Sequence, residues 1–304
     1  MTKYAVTDIG TNSVRLMLAD EELRVVEKRL ATTRIGEKIA ETGELSEAGM
    51  ERTLNALLGY AKAASDFGAP LWAFATSAVR DAKNKEEFLR RARGLGIEIE
   101  VVDGGTEAAL AYIGVGAAGK ATLIDIGGGS TEAAQGENGT LKAGFSAPVG
   151  CVRALERFGR DAGEKEFGRL SEWFRNERIS GGTLTMKEAL LSLRPAGRVY
   201  AVSGTATSIA SIFVGAEERY DASAVQGKVV SKGDVFAVMK RLGKLTVEER
   251  CAIPVLGERG DLILFGGAIL LDCMELLGAG EITVSDSDNL EGYLRYRLSQ
   301  NQMG

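Results

Sequence analysis

Apolar and polar positions alternate along residues 3–19, break at Asp8-Ile9-Gly10-Thr11-Asn12-Ser13, and resume with Val14, Leu16 and Leu18. That pattern predicts strand, tight turn, strand. Residues 24–33 are a further strand candidate. Ser46 then reads as the N-cap of a long helix to about Phe67, with Met50, Leu54, Leu57, Leu58 and Ala61 on one stripe. Residues 71–75 form a short apolar strand leading into Thr76-Ser77-Ala78-Val79-Arg80. Asn84 with Glu87 three positions on resembles a capping box for a helix through Arg93. A strand is predicted over 97–102, and Thr106 as the cap of a helix from Glu107 to about Val115.

The pattern restarts at 121–125. A second strand-turn-strand follows, with strands over 132–135 and 141–146. Helices are predicted at 151–158, 164–174 and 185–193, and a strand at 199–202. Gly204 then opens a turn and 206–213 continues as a helix. Further helices read over 232–242, 247–253 and 262–277, then a strand over 281–285 and a last helix over 289–297. Mixed strands and helices throughout predict the α/β class. The stretch GVGAAGK at 114–120 is the best boundary, giving domains 1–116 and 117–304, with the last helix able to pack back on the first. Asp8 and Asp125 stand 117 positions apart, and Ile9/Ile126, Gly10/Gly127 and Ser13/Ser130 keep that offset. One Asp-Ile-Gly-x-x-Ser after an apolar run is weak evidence. Two, each opening a domain-sized unit, predict a duplicated domain whose hairpins face a shared cleft.

Composition narrows the chemistry. The chain has 304 residues and no histidine. Histidine triads, phosphohistidine chemistry and His-bound metals are thereby excluded. Acid–base work falls to Asp, Glu, Lys, Tyr or Cys, and a metal would need oxygen ligands, which favours Mg²⁺, Mn²⁺ or Ca²⁺. A formal net charge of -5 supplies no basic field to recruit nucleic acid or an anionic membrane. No apolar run is long enough to span a membrane, and the first residues lack the regions of a signal peptide. Cys151, Cys251 and Cys273 are scattered and odd in number, which fits buried thiols in a reducing cytosol.

The two hairpins suit phosphate. Bare glycine backbone approaches closely and successive N–H groups point at the anion. Gly10, Thr11, Asn12 and Ser13 form one cradle, and Gly127, Gly128, Gly129, Ser130 and Thr131 the other. Ser203, Gly204 and Thr205 make a third, after a strand and before a helix. None ends in the Gly-Lys-Ser/Thr of a Walker loop.

At this point the segments DIGTNSVRLML (8–18), FATSAVRDAKN (74–84), VVDGGTEAALAYIGV (101–115) and LIDIGGGSTEAAQG (123–136) resemble one family. SAPVGCVRALERF (146–158), AVSGTATSIASI (201–212), RGDLILFGGAILL (259–271) and VSDSDNLEGYL (284–294) extend the likeness in the same order. The chain is identified as similar to the exopolyphosphatase/guanosine pentaphosphate phosphohydrolase family, in its short two-domain form. The resemblance implies two ribonuclease H-like domains of the actin-like ATPase fold, with mixed sheets flanking an interdomain cleft. It implies hydrolysis of a terminal phosphoanhydride of polyphosphate or of guanosine pentaphosphate, with Mg²⁺ or Mn²⁺, in the cytoplasm; it names polyphosphate or guanosine penta- or tetraphosphate as the small-molecule ligand, and it admits a homodimer.

By the same resemblance Glu107 is the base that activates water, and Arg80 binds phosphate as a bidentate fork. The family usually has two or three adjacent acids here, where this chain has Gly105-Thr106-Glu107. Asp125 and Glu132 are the expected metal ligands. Asp8 is a third, or else holds its own hairpin. Asp286 and Glu291 either orient the cleft or cap the final helix, Arg15 lies on the hairpin face, and Cys151 is packing. An ATP-dependent kinase or ATPase of the same superfamily, and a non-catalytic alarmone sensor, are the alternatives. Longer members carry a C-terminal helical region with a His-Asp motif that this sequence lacks, so short chains or a nucleotide are the expected substrates.

Overall fold

The first apolar run builds β1 (Tyr4–Ile9), turns through Gly10, Thr11 and Asn12 and returns as β2 (Ser13–Ala19), with Asp8 opposite Arg15 across the antiparallel pair. The computed structural model describes residues 2–193 and 197–303. β3 (Val25–Thr32) adds antiparallel to β2, while β4 (Leu71–Ala75) and β5 (Ile99–Val101) extend the other side in parallel. The order is β3-β2-β1-β4-β5. The second sheet repeats that arrangement. β6 (Lys120–Ile126), β7 (Thr131–Glu137) and β8 (Thr140–Ala147) form the antiparallel arm, and β9 (Arg198–Val202) and β11 (Glu281–Val284) run parallel to β6. β10 (Val229–Ser231) closes the edge, giving β10-β11-β9-β6-β7-β8. Strands β1 and β6 are buried on both faces, which is why each reads as a near-continuous apolar run.

Several local expectations need correction. Asn84 forms no capping box; its side chain reaches Leu45 instead, accepting from the Leu45 N–H at 2.9 Å and donating to the Leu45 carbonyl at 2.9 Å. A side chain already pairing both groups of a distant backbone cannot also cap its own helix. The helix before the boundary starts earlier than expected, at Gly104, and its cap is Asp103, which accepts from the Thr106 N–H at 2.8 Å. Thr106 therefore lies inside the first turn. The third glycine segment is not a turn followed by a helix. The helix Ser203–Phe213 starts directly after β9, and the change of direction is concentrated in Ser203, whose φ is 65°.

Two helices trade places between the sheets. Helix Gly104–Val115 follows β5 yet packs on β7 and β8, while helix Asn289–Met303 follows β11 yet packs on β1. They cross each other where a Cβ on Gly114 would meet the Asp288 carbonyl oxygen at 1.8 Å, and one on Gly292 the Leu110 carbonyl oxygen at 1.8 Å. Glycine is required at both points because backbone meets backbone. The crossing brings the start of the final helix to the cleft.

Candidate active site

Each hairpin is held by its neighbours so that its tip faces the other. In the first, the Thr33 and Arg34 N–H groups donate to the Asn12 carbonyl at 3.1 and 2.9 Å, and the Gly36 N–H to the Thr11 carbonyl at 3.0 Å. In the second, Cys151 and Val152, at the start of helix Cys151–Phe158, donate to the carbonyls of Gly127 at 3.0 Å and Gly128 at 2.8 Å. With those carbonyls drawn away, the N–H groups of Thr11, Asn12, Gly128 and Gly129 have no backbone acceptor among the described residues. The hairpins touch. A Cβ on Gly129 would lie 2.5 Å from the hydroxyl oxygens of both Thr11 and Ser77, which are themselves 2.9 Å apart.

One cavity lies between them. Its walls include Gly10, Thr11, Asn12 and Ser13 on one side, and Gly127, Gly128 and Ser130 on the other. Ser203, Gly204 and Thr205 enter from the second sheet, as expected. Gly129 and Thr131 do not line it: Gly129 serves the hairpin contact, and the Thr131 hydroxyl donates to the Val149 carbonyl at 2.6 Å. Thr76 and Ser77, directly after β4, stand where Gly204 and Thr205 stand after β9, since Asp8 pairs with Phe74 as Asp125 pairs with Val202, and both line the cavity. The constant offset of the hairpins is lost here, so the repeat does not flag them.

Four carboxyl groups line this cavity. Glu107 receives Arg80 Nη1 at 2.7 Å, and burial pushes its carboxyl up to about 7 although Arg80 opposes the rise. Burial likewise pushes Asp125 up to about 6. Glu132 is raised well above the usual range by burial, then by Glu107 and Asp125, while accepting from Ser146 Oγ at 2.6 Å. Asp8 is raised by burial and receives Arg15 Nη2 at 2.5 Å. Arg15 also pairs with Asp288. Burial opposes ionisation of Asp288, yet Arg15 and Lys28 outweigh it and hold its carboxyl below the usual range.

Arg80 is turned to Glu107, Val102 and Asp81 rather than lining the cavity. The cation that does line it without an ion-pair or hydrogen-bond partner among the described residues is Arg259. Sequence reasoning passed over it, although it opens the matched segment RGDLILFGGAILL. Asp286 and Glu291 do not line the cavity; both bind Lys28, at 2.8 and 2.7 Å. Glu291 Oε2 also accepts from the Asp288 N–H at 2.9 Å, at the start of the final helix. Asp288 and Asn289, between them, are the members that reach the site network: Asn289 Nδ2 donates to Asp125 Oδ2 at 3.3 Å. Cys151 is buried and its thiol is pushed up to about 12, so it lines the wall as an inert group.

Among the described residues no three metal-type side chains gather to hold an ion unaided. Asp125 Oδ1 and Asp8 Oδ1 are nevertheless buried with no hydrogen-bond partner. All the candidates are oxygens. That suits a hard cation taking few protein ligands and completing its shell with phosphate and water.

The comparisons decide the family. A model described as the Ppx/GppA phosphatase family matches residues 16–300. The chain belongs to the Ppx/GppA phosphatase family. It is similar to "Exopolyphosphatase 2" of Mycobacterium tuberculosis, at 32% identity over 96% of this chain and 97% of that protein. It is also similar to "Guanosine-5'-triphosphate,3'-diphosphate pyrophosphatase" of Aeromonas hydrophila, at 29% identity, covering 98% of this chain but 60% of that one. Among solved structures, the Aquifex aeolicus Ppx/GppA family member aligns with a TM-score of 0.80 at 30% identity, over 99% of this chain and 98% of that one. An exopolyphosphatase from Cytophaga hutchinsonii aligns with a TM-score of 0.88 at 25% identity, over 98% of each. The α/β class with two mixed sheets, expected for ribonuclease H-like halves of the actin-like ATPase fold, is that of the solved Ppx/GppA structures. No helix among the described residues is long and apolar enough to cross a membrane.

Proposed function

We propose that this Ppx/GppA phosphatase, a phosphoanhydride hydrolase by family, releases orthophosphate from the end of inorganic polyphosphate or guanosine pentaphosphate. The observation that carries the reading is Glu107: a buried carboxyl, poised at about 7, on the wall of a cavity between two phosphate-type hairpins. The free N–H groups of Thr11, Asn12, Gly128 and Gly129 would bind the phosphate oxygens, with the hydroxyls of Ser13, Ser130 and Thr205 as neutral donors. Arg259 would neutralise charge developing on the leaving chain. Glu107 accepts the proton of the attacking water, and Arg80 fixes its orientation at 2.7 Å. Asp125 and Glu132 would hold Mg²⁺ or Mn²⁺, which when bound supplies charge neutralisation at the phosphate. Asp8, whose Oδ2 is taken by Arg15, would reach the ion only through Oδ1. We further propose a division into domains at 116/117, action in the cytoplasm and a homodimer.

The test is phosphate release in the presence of Mg²⁺ from short and long polyphosphate, guanosine pentaphosphate and ATP, for wild type and Glu107→Gln. Release from polyphosphate or pentaphosphate that collapses in the variant supports the proposal and ranks the substrates. Binding without release would make the protein an alarmone sensor, and release or transfer from ATP alone would make it a kinase or ATPase.

A further inference from the structure

The two hairpins differ at one position beside their aspartates. Asp8 stands opposite Arg15, and Asp125 stands opposite Glu132. Positions 15 and 132 keep the offset of 117 that relates Asp8 to Asp125. The first aspartate thus faces a cation and the second another acid. Arg15 donates to Asp8 Oδ2 from Nε at 3.1 Å and from Nη2 at 2.5 Å. Asp125 and Glu132 have no ion-pair partner among the described residues.

The group that holds Asp125 comes from the last helix. Asn289 opens that helix, is 4% exposed, lines the cavity and donates from Nδ2 to Asp125 Oδ2 at 3.3 Å. A carboxylate only accepts, so the amide turns its N–H groups to Asp125 and its oxygen away. That oxygen is buried with no hydrogen-bond partner among the described residues. Asn289 is not needed as a cap. Asp288 Oδ1 already accepts from the Leu290 N–H at 3.1 Å, and Glu291 Oε2 from the Asp288 N–H at 2.9 Å. The close crossing at Gly292 fixes the helix start in place. Asparagine is a poor helix former, and a buried acceptor costs stability until something donates to it. The site, not the helix, accounts for an amide at position 289.

We propose that Asn289 is a positioning residue for the divalent cation, an inference that rests on the proposal above that Asp125 and Glu132 hold that ion. Its amide fixes Asp125 through Oδ2 and leaves the unpartnered Oδ1 as the atom offered to the ion. An arginine or lysine would hold Asp125 too, but would cancel the charge that attracts the ion, as Arg15 does at Asp8. A neutral donor sets the geometry and keeps the charge. The amide oxygen then accepts from a water in the ion's shell, which gives the buried acceptor its donor. Arg15 is the fixed cation of the first hairpin, so only the second needs an exchangeable one.

The experiment is Mn²⁺ binding to the full chain without substrate, followed by the electron paramagnetic resonance signal of the free ion. Wild type, Asn289→Leu, Asp125→Asn and the double variant are compared, with circular dichroism as the check on folding. Asn289→Leu nearly keeps the volume and removes the amide, and should weaken Mn²⁺ binding by about tenfold or more. In the Asp125→Asn background the same change should cost less than about twofold, because Asn289 acts through that carboxylate. Asn289→Ser, one bond shorter and unable to reach Asp125, replaces the leucine variant if that one fails to fold, with the same expectation. A folded Asn289 variant that binds Mn²⁺ as tightly as wild type overturns the inference. So does one that loses as much in the Asp125→Asn background as alone. In both cases weaker binding by Asp125→Asn itself leaves the proposed metal ligands standing. Wild-type binding indifferent to Asp125→Asn overturns those ligands, and the role of Asn289 with them.

Discussion

A carboxyl that must take a proton from water near neutral pH works best when it titrates close to that pH. Glu107 meets this by burial, which lifts it from an ordinary 4.5 to about 7 while Arg80 pulls the other way. The ionised form is the base, so kcat/KM should rise with pH through an acid limb. Removing the opposing cation in Arg80→Ala should move that limb to higher pH and lower the rate at neutral pH by about tenfold or more; a pH–rate profile of the two proteins checks both. Glu107→Gln keeps the shape and the Arg80 contact but removes the base, and should cost about 10²- to 10⁴-fold in rate with the fold intact. Arg259→Met should chiefly lower kcat, read from initial rates, because the charge its guanidinium would neutralise develops in the transition state; the fold should hold, because that guanidinium has no ion-pair or hydrogen-bond partner to lose among the described residues. At this scale the sequence was legible where a motif repeats. Asp8 and Asp125, the two glycine turns and Ser203-Gly204-Thr205 could all be read from the residues, and all reach one cavity. The resemblance added Glu107 and Glu132. Arg259 and Ser77 were not legible, because their proximity is created by tertiary contacts between segments far apart in the chain.

Elements were legible through period and failed at their ends. Strand alternation and the 46–67 stripe located their elements, with Ser46 accepting from the Gly49 N–H as the cap signal predicts. Asn84, Thr106 and Gly204 were misread for a related reason: a polar or flexible residue near a helix start has several uses, and a distant partner or an immediate neighbour decides among them. Asn84 went to Leu45, the cap near Thr106 fell to Asp103, and the bend near Gly204 fell on Ser203. The exchange of helices between the sheets was also outside local pattern, since no propensity states which sheet a helix will cover. It has a direct test. Gly292→Ala forces a methyl into the Leu110 carbonyl and should destabilise by about 1–3 kcal/mol or more. Gly280→Ala, with nothing within 4 Å, serves as the control in urea unfolding.

At the scale of the whole molecule the buried acids make the cleft a cost to stability that a ligand can offset. Glu107 and Asp125 keep their protons in the fold up to about 7 and about 6, but release them near 4.5 and 3.8 when unfolded. Across that window the folded protein binds more protons than the unfolded chain, so its stability falls as pH rises from about 4 to about 7. Thermal melts of protein without added metal should therefore show a lower Tm at pH 8 than at pH 5. Mg²⁺ should recover more of the loss at pH 8 than at pH 5, where protons compete for the same oxygens.

The last helix has a consequence for the order in which the chain can mature. Leu290, Tyr293 and Leu294 share one apolar core with Val6, Met17 and Phe74, and the Tyr293 ring stacks on Phe74 with centroids 4.5 Å apart. During synthesis the first sheet thus leaves the ribosome with one face bare and stays so until residues 289–303 follow. A nascent chain stalled before Asp288 would expose that face to chaperones and proteases, and it would lack the partner that Arg15 and the first hairpin require. Activity then waits until residues 289–303 have been made and have covered β1, β2 and β4.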